Sequence, residues 1–288
     1  MTSMWGEAPR PLACPGCLAT SLKAAGGALV CAACAARWPV SEGLPRLYRE
    51  AGVQGTDKLM RVIYDSLPAL HDPATRLLTP LMQGVSEARM RAGYIGRLKL
   101  GGLSRPEGGG PIRILEVGVG AGANLPLLKA ALPVGVPVEV WGADLSLGML
   151  RQCQRRLRRG GLPPTRLLMA DAHALPFEGA SFDRVFHIGA MGSYRDPALA
   201  LAEMARVARP GTPIVVVDEQ LDPDRRHTLY HRAWFKALTF YDDDPHCPTE
   251  SIPSGAIEVR QDAISRFYYC LSFEMPQGAP EPVGSAPT

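Results

Sequence analysis

ILEVGVGAGANL, residues 114–125, joins a run typical of a buried strand to a glycine turn and then to a helical pattern. Glycines at such a turn let the backbone bend sharply and let a ligand approach without a Cβ in the way. The same residues fit the dinucleotide fingerprint G-x-G-x-x-A from Gly118, so a nicotinamide or flavin site is one interpretation. A glycine loop alone does not decide between ligands.

Short apolar runs alternate with helical stretches from this motif to about residue 275. This alternation predicts an α/β fold with a parallel sheet covered on both faces. The predicted strands are 112–117, 138–143, 166–169, 184–188 and 213–217, with a closing hairpin at 256–259 and 266–273. The predicted helices are 123–131, 146–158, 197–208 and 222–240.

Acidic residues follow successive predicted strands. Glu116 precedes Gly118 by two residues, and a carboxylate there can pair with the ammonium group that S-adenosylmethionine has and NAD lacks. Asp144 ends the second strand, where a carboxylate can accept both ribose hydroxyls. Asp171 follows the third strand and could accept from an adenine amino group. Each acid alone could simply be solvated, but their order on neighbouring strand ends favours a nucleoside site, because ligands of open α/β sheets bind there.

At this point the chain resembles the class I S-adenosylmethionine-dependent methyltransferases, most closely the ubiquinone/menaquinone-biosynthesis type. The resemblance spans about 112–275 and depends on LEVGVGAG, ADLSLGML, DAHALPF, SFDRVF and EMARVARPGTPIVVVDE. It implies a Rossmann-like, seven-stranded sheet with an antiparallel last strand, and S-adenosylmethionine as cofactor. The cofactor-binding residues it implies are Tyr64, Glu116, Gly118, Gly120, Gly122, Asn124, Asp144, Leu145, Met149, Asp171, Ala172 and His187.

Four of the seven cysteines form two C-x-x-C pairs, Cys14 with Cys17 and Cys31 with Cys34. Four thiolates can close a tetrahedral structural zinc site and leave no open position for catalysis. Gly26-Gly27 can turn a hairpin between the pairs. The residues WPVSEGLPRL, 38–47, resemble the small zinc-ribbon activator subunit of several tRNA, rRNA and protein methyltransferases. A ribbon over 10–50 is therefore expected to pack on the enzyme or to shape its substrate entrance.

His187 is the candidate catalytic residue, at the end of the fourth predicted strand. A neutral imidazole there could take a proton from the methyl acceptor, or it could only complete the pocket. Ile188-Gly189-Ala190-Met191 stands where exocyclic-amine and glutamine methyltransferases carry an Asn-Pro-Pro-Tyr type signature, which argues against those substrates. His227 and His231 have no third ligand nearby in sequence. Residues 241–246 form an acidic stretch expected to be a solvated loop.

The remaining segments complete the domain prediction. A helical segment at 55–100, with Leu59 and Val62 at helical spacing, is expected to cap the domain at 111–276, and residues 277–288 form a Pro/Gly-rich tail. Tyr64-Asp65 in the cap resembles the Tyr-Asp pair with which the family covers its cofactor. The sequence shows no apolar run long enough to span a membrane and no export signal, so a cytoplasmic protein is expected.

Composition bounds the choice of partner. The chain has 288 residues, 46% of them hydrophobic and 20% charged, and a formal net charge of +3. Such a small charge does not by itself predict nucleic-acid binding, so the expected acceptor is a small molecule. Five arginines between Arg151 and Arg159 keep an rRNA or tRNA base methyltransferase as the first alternative. The second is a non-catalytic activator of another methyltransferase. The oligomeric state is left open.

Overall fold

The computed structural model describes Trp5 and residues 9–66, 85–104 and 110–277. The middle of the predicted cap, 67–84, the linker residues 105–109 and nearly all of the predicted tail lie outside the described residues. Within those ranges the chain forms two sheets, a small one near the N-terminus and a large one that follows it.

The N-terminal sheet is antiparallel and carries the paired cysteines. Its four strands, in spatial order, are β1 (Leu22–Ala25), β2 (Ala28–Cys31), β3 (Arg37–Ser41) and β4 (Leu44–Pro45). Gly26 and Gly27 join β1 to β2 with φ of +55° and +72°. Two consecutive left-handed residues match the twist of a two-residue hairpin, which is why glycine is needed at both. The predicted hairpin between the cysteine pairs is therefore present.

The large sheet has seven strands and confirms the predicted fold class. In chain order they are β5 (Ile112–Val117), β6 (Val138–Asp144), β7 (Thr165–Met169), β8 (Arg184–Ile188), β9 (Ile214–Glu219), β10 (Ile257–Ala263) and β11 (Tyr268–Glu274). Their spatial order is β10-β11-β9-β8-β5-β6-β7. β11 runs antiparallel to both of its neighbours, and the remaining pairs are parallel. The chain leaves β5 toward β6 and later returns to its other side at β8, which makes the carboxyl end of β5 a topological switch point.

Six α-helices accompany the sheets within the described residues. They are α1 (Gly55–Ser66), α2 (Glu87–Arg97), α3 (Leu125–Ala131), α4 (Leu147–Arg158), α5 (Pro197–Val207) and α6 (Leu229–Leu238). α6 is shorter than the predicted helix 222–240. Thr228 begins it, because its hydroxyl accepts from the backbone N–H of His231 and the His231 ring accepts from Thr228 in return.

α1 turns a different face inward from the one that its apolar spacing predicts. Asp57 and Met60 are buried, whereas Leu59 and Val62 are about half exposed. The inward face carries a charged residue because it meets polar groups at the strand ends of the large sheet, described below, and not an apolar layer. Tertiary contacts therefore override the apolar periodicity of this helix.

The N-terminal sheet and the large sheet share one hydrophobic core. Trp38 and Leu47 belong to the same buried cluster as Trp141 of β6 and Phe177, which follows β7 in the chain. The backbone N–H of Leu47 donates to the carbonyl of Met169 at 2.8 Å, so the residues after β4 extend the edge of the large sheet beside β7. The N-terminal sheet therefore packs on the large sheet through both side-chain burial and main-chain hydrogen bonds.

Candidate active site

A cavity of about 240 Å³ lies at the carboxyl ends of the parallel strands, at the switch point beside β5. Most of the residues predicted to bind the cofactor line it: Tyr64, Glu116, Gly118, Gly120, Asn124, Asp144, Leu145, Met149, Asp171, Ala172 and His187. Loops after β5, β6 and β8 form its floor, and residues of α1 and α2 complete its wall. This is the position at which open α/β sheets bind ligands.

The loop after β5 brings backbone close to the cavity. Gly118 and Gly120 have φ of +70° and +52°, a region that residues with a Cβ rarely adopt. A Cβ at Gly118 would lie 3.1 Å from the Nδ1 of His187, and one at Gly120 would lie 3.2 Å from the Cε of Met149. The loop therefore requires glycine at both positions for its conformation and for the space beside it.

Gly122 serves the packing of the domain and does not line the cavity. Its φ is +74°, and a Cβ there would lie 2.6 Å from the Sγ of Cys153 and 2.9 Å from Leu125. Close contact between the loop and α4 therefore explains the glycine at this position, and its predicted cofactor role stays a prediction.

Gly122→Ala is expected to destabilise the protein by about 1–3 kcal/mol more than Gly211→Ala. Gly211 has nearly the same φ, +72°, but a Cβ there would meet open space, so this control carries only the backbone cost, roughly 1–2 kcal/mol. The extra loss at Gly122 comes from overpacking against Cys153. Urea unfolding measures both, and Cys153→Ala should restore part of the stability in the Gly122→Ala background. Equal losses for the two glycines would contradict this account.

Glu116 is buried at the end of β5 and is only half satisfied. Its Oε1 accepts from the Nδ2 of Asn124 at 2.6 Å, whereas its Oε2 has no hydrogen-bond partner among the described residues. Burial raises the pKa of Glu116 to about 8. An oxygen left without a donor in a cavity wall is a place where a cationic ligand group would stabilise the carboxylate.

α2 contributes two side chains to this corner that the sequence interpretation did not identify. The Oδ1 of Asn124 accepts from the hydroxyl of Tyr94 at 2.6 Å and from the guanidinium of Arg91. These bonds fix the amide so that its Nδ2 points at Glu116. Nothing in the local sequence marks Arg91 or Tyr94, because the contact joins residues about thirty positions apart.

Asp144 organises the loops on either side of it. Its two carboxylate oxygens accept from the backbone N–H groups of Gly120 and Ser146, each at 2.8 Å. The side chain still lines the cavity, and each carboxylate oxygen can accept a second hydrogen bond. The geometry is compatible with a ligand hydroxyl and also gives Asp144 a structural role in holding the glycine loop.

Asp171 is more heavily engaged than the sequence suggested. Its carboxylate accepts from the His173 ring at 2.7 Å and from the Nη2 of Arg195 at 2.9 Å. Burial opposes its charge, but the hydrogen bonds from His173 and Arg195 outweigh burial and lower the pKa of Asp171. Arg195 also pairs with the buried Asp57 of α1. Arg195 thus links α1, through Asp57, to the end of β7, through Asp171.

His187 lies fully buried beneath the cavity. Its Nδ1 donates to the carbonyl of Val117 at 2.8 Å, and its Nε2 has no hydrogen-bond partner among the described residues. Burial lowers the pKa of His187 to about 4. The imidazole is therefore neutral near pH 7, with the Nε2 lone pair available as a hydrogen-bond acceptor.

Tyr64 and Asp65 at the end of α1 have separate roles. Tyr64 lines the cavity, and burial raises the pKa of its hydroxyl. The Oδ1 of Asp65 accepts from the Ser146 hydroxyl at 2.7 Å and from the Gly148 N–H at 2.8 Å. Asp65 therefore fastens α1 to the start of α4, which positions Tyr64 over the site.

The far end of the cavity is formed by residues absent from the sequence prediction. Glu219, at the end of β9, accepts from the hydroxyls of Tyr241 and Tyr268 at 3.0 and 3.1 Å, and all three line the cavity. Asp243 and Asp244 are exposed, as expected of an acidic loop, but Tyr241 at the start of that stretch turns inward. An acid at a strand end was the available signal for Glu219.

The four paired cysteines form a compact cluster in the N-terminal sheet. Their sulfur atoms all lie within 4.8 Å of one another, with Cys14 and Cys34 at 3.7 Å and Cys17 and Cys31 at 3.6 Å. Four sulfurs around one zinc at about 2.3 Å would be separated by roughly 3.8 Å. The donor set and its spacing therefore fit a tetrahedral metal ion.

The other charged candidates have structural partners. Arg151 forms a two-pronged ion pair with Glu42, and Gln154 donates to the Glu42 carbonyl at 3.0 Å, so this part of α4 holds the N-terminal sheet. The ring of His227 bonds to the carbonyl of Asp222, and His231 caps α6. Within the described ranges, the cysteine cluster alone has the grouping of ligand atoms that a metal requires.

Part of the chain is similar to known methyltransferases. Residues 115–216 match the family described as "Methyltransferase domain". A demethylmenaquinone methyltransferase of Thermus thermophilus is 36% identical over 128 residues, 44% of this chain and 56% of that protein. A phosphatidylethanolamine N-methyltransferase of Cereibacter sphaeroides is 36% identical over 107 residues, 37% of this chain and 50% of that protein. The chain spans about half the length of these curated relatives.

Solved structures show the same fold. A chain from the complex between a methyltransferase activator and a methyltransferase of Haloferax volcanii gives a TM-score of 0.53 at 16% identity, covering 76% of this chain and 98% of that one. Phosphoethanolamine N-methyltransferase 2 of Haemonchus contortus, solved with S-adenosyl-L-methionine, gives 0.51 at 15% identity, covering 65% and 52%. The large domain thus has the class I methyltransferase fold. None of the helices within the described ranges combines the length and apolar character that crossing a bilayer requires.

Proposed function

We propose that this chain is an S-adenosylmethionine-dependent methyltransferase that acts on a small-molecule acceptor. The observation that carries the proposal is the buried Glu116, whose Oε2 lacks a partner among the described residues, beside the glycine loop and Asp144 at the switch point. The curated relatives named above are methyltransferases of a quinone precursor and of a phospholipid, which supports a small acceptor. The pairing of Arg151 with Glu42 leaves less of the basic run free for RNA.

The residues of the cavity fit the cofactor. Glu116 would hold its ammonium group, Asp144 its ribose hydroxyls, and the backbone at Gly118 and Gly120 would allow the methionine portion to approach closely. Leu145, Met149 and Ala172 would contact the adenine. Because the carboxylate of Asp171 is engaged with Arg195 and His173, we assign it to positioning this wall rather than to direct adenine recognition.

The cofactor supplies an electrophilic methyl group on a sulfonium centre. The chain would align the methyl acceptor with this methyl group in a pocket with little water. When the leaving group is good, such alignment is the larger part of catalysis. His187 is neutral and presents Nε2 as an acceptor. A group with a pKa near 4 is a poor general base at neutral pH. His187 would therefore orient the methyl acceptor or the cofactor and would not remove a proton.

A structural zinc ion in the four-cysteine cluster completes the proposal. The segment 10–50 would then be a zinc ribbon fused to the enzyme, 55–100 its cap and 111–276 its methyltransferase domain. Thiolate ligation requires reduced cysteines, which is consistent with the cytoplasm. The main-chain link between Leu47 and Met169 supports a ribbon that acts as an integral part of the enzyme.

Calorimetry tests the cofactor, and labelled methyl transfer tests the activity. We expect the purified protein to bind S-adenosylhomocysteine with micromolar affinity and to give no heat with NADH. S-adenosylmethionine with a labelled methyl group, added with cell extract, should deliver label to the small-molecule fraction. Label in RNA would favour the first alternative, and cofactor binding without any transfer would favour the non-catalytic one. Binding of NADH without binding of S-adenosylhomocysteine would overturn the proposal.

A further inference from the structure

The far end of the cavity has an unusual balance of hydrogen-bonding groups. The hydroxyl hydrogens of Tyr241 and Tyr268 are both directed to Glu219, so their oxygens face other partners only as acceptors. His187, which is 1% exposed, lines the same cavity with an Nε2 that lacks a partner among the described residues. A ligand group that satisfies these atoms must donate hydrogen bonds.

The same end carries negative charge without a matching cation. Among the described residues, no Lys or Arg forms an ion pair with Glu219 or with its neighbour Asp218. Burial and the charge of Glu219 raise the pKa of Asp218 well above its usual value, whereas both carboxylate oxygens of Glu219 accept hydrogen bonds from tyrosine hydroxyls. The charge of Glu219 also acts to raise the pKa of Tyr64 and that of His187, which line the same cavity.

The arginines that line the cavity are engaged elsewhere. Arg61 bonds to Glu50 at 2.6 Å and to the Tyr48 hydroxyl at 3.2 Å. Arg91 bonds to Asn124 and Tyr94 at the opposite corner. The positive charge that complements Glu219 is therefore expected from the ligand.

We propose that the methyl acceptor is an aliphatic amine whose nitrogen binds beside Glu219, among the side chains of Tyr64, Tyr241 and Tyr268. This assignment depends on the methyltransferase function proposed above. Tyrosine rings attract ammonium groups, and each carboxylate oxygen of Glu219 can accept a second hydrogen bond in addition to the one from its tyrosine. The Ile188–Met191 segment argues against planar exocyclic amines and amides, and an aliphatic ammonium has neither geometry.

The transfer balances without any further reactant. The bound ammonium loses one proton to solvent water. The freed nitrogen lone pair then forms the N–C bond while the C–S bond breaks, and that bonding pair stays on sulfur. The products are S-adenosylhomocysteine and the methylated ammonium. Glu219 would thus hold the nitrogen of the amine, and the Nε2 of His187 would be a hydrogen-bond acceptor in the same cavity.

Choline and its neutral isostere 3,3-dimethylbutan-1-ol test the charge preference, because they differ mainly in a quaternary nitrogen against a carbon. Binding of each, up to 10 mM, is measured by ligand-observed NMR with and without S-adenosylhomocysteine. We expect the wild-type protein to bind choline at least tenfold more tightly than the isostere. Glu219→Gln should abolish the preference, and Glu258→Gln, on the exposed strand β10, should keep it.

The outcomes separate this inference from the function on which it depends. Equal binding of the two probes, tighter binding of the isostere, or no binding of either would overturn the amine assignment even if S-adenosylhomocysteine binds. A preference that persists in Glu219→Gln would overturn the role of Glu219. Failure of S-adenosylhomocysteine to bind would instead overturn the proposed function. The wild-type comparison needs no variant, so a folding defect in Glu219→Gln does not prevent the test.

Discussion

Cys34→Ser is expected to lower the unfolding midpoint of the protein far more than Cys247→Ser, although Cys34 is exposed and Cys247 is buried. Without a metal, replacing an exposed cysteine by the near-isosteric serine costs little stability, and replacing a buried cysteine costs more. With a zinc ion held by four thiolates the order reverses, since metal binding supplies the folding free energy of so small a sheet. The apparent binding free energy of zinc is about 10–16 kcal/mol in zinc-finger peptides.

The effect should extend to the active site. The N-terminal sheet shares its core with Trp141 and Phe177, and its last residues lead through Glu50–Gly52 into α1, which lines the cavity. Losing 5 kcal/mol or more corresponds to roughly 10–20 °C in a domain of this size. We expect such a shift for Cys34→Ser, together with at least tenfold weaker binding of S-adenosylhomocysteine.

Metal analysis and thermal unfolding measure these changes together. The wild type should contain one zinc per chain, and a strong chelator should reproduce the Cys34→Ser shift. Cys247→Ser should retain the zinc. A metal-free protein in which Cys34→Ser melts at the wild-type temperature would rule out the structural zinc site.

Glu116→Gln is expected to weaken binding of S-adenosylhomocysteine by about 30-fold or more at pH 8. Removing one member of a buried charged pair typically costs 2–5 kcal/mol, and each 1.4 kcal/mol is tenfold in affinity. Glutamine resembles the protonated acid in shape and can still accept from Asn124, so the fold should survive. Glu139→Gln, at the opposite end of the sheet on β6, is the matched control and should bind normally.

The pH dependence of binding follows from the same side chain. Burial places the pKa of Glu116 at about 8 in the free protein, so at pH 6.5 it must lose its proton before it can pair with an ammonium group. Binding therefore releases a proton, and affinity should rise as pH increases to about 8, by at most tenfold per unit, and then level off. Calorimetry in buffers of different ionisation enthalpy measures the released proton.

The stability of the free protein should change in the opposite direction. A carboxyl group whose pKa is raised on folding contributes stability that is fully present below its unfolded value and is lost as pH rises through the folded value. The unliganded wild type should therefore lose this stability progressively as the pH rises from about 4.5 to about 8, where the loss levels off, and Glu116→Gln should lose less. Affinity that is independent of pH between 6.5 and 8 would show that Glu116 does not meet the ammonium group.

Local sequence was enough to predict the sheet and the glycines and acids that line the cavity at its strand ends. Buried parallel strands are continuous apolar runs, and β5 and β8 begin and end where their runs do. Backbone conformation requires glycine at 118 and 120. The acids near the ends of β5 and β6 lie where parallel strands end and ligands bind. The cysteine pairs likewise specify their cluster, because two C-x-x-C pairs at that spacing are typical of a four-ligand metal site.

Contacts between distant segments could not be predicted in this way. Asp171 was expected to meet a ligand, but Arg195, 24 positions away, pairs with its carboxylate and also with Asp57, which is 114 positions from Asp171. α1 shows the same limit, since polar partners at the strand ends decide which of its faces is buried.

The sequence by itself determined which chain segments form strands, where the backbone must bend without a Cβ, and which four thiols come together. Each of these is fixed by residues within a few positions of one another. Only the tertiary structure decided that Gly122 packs on Cys153, that Asn124 is held by Arg91 and Tyr94, and that Glu219 faces the cavity with two tyrosines. The physical reason is that hydrogen bonds and close contacts between distant segments depend on how the elements pack, and local propensity does not encode that packing.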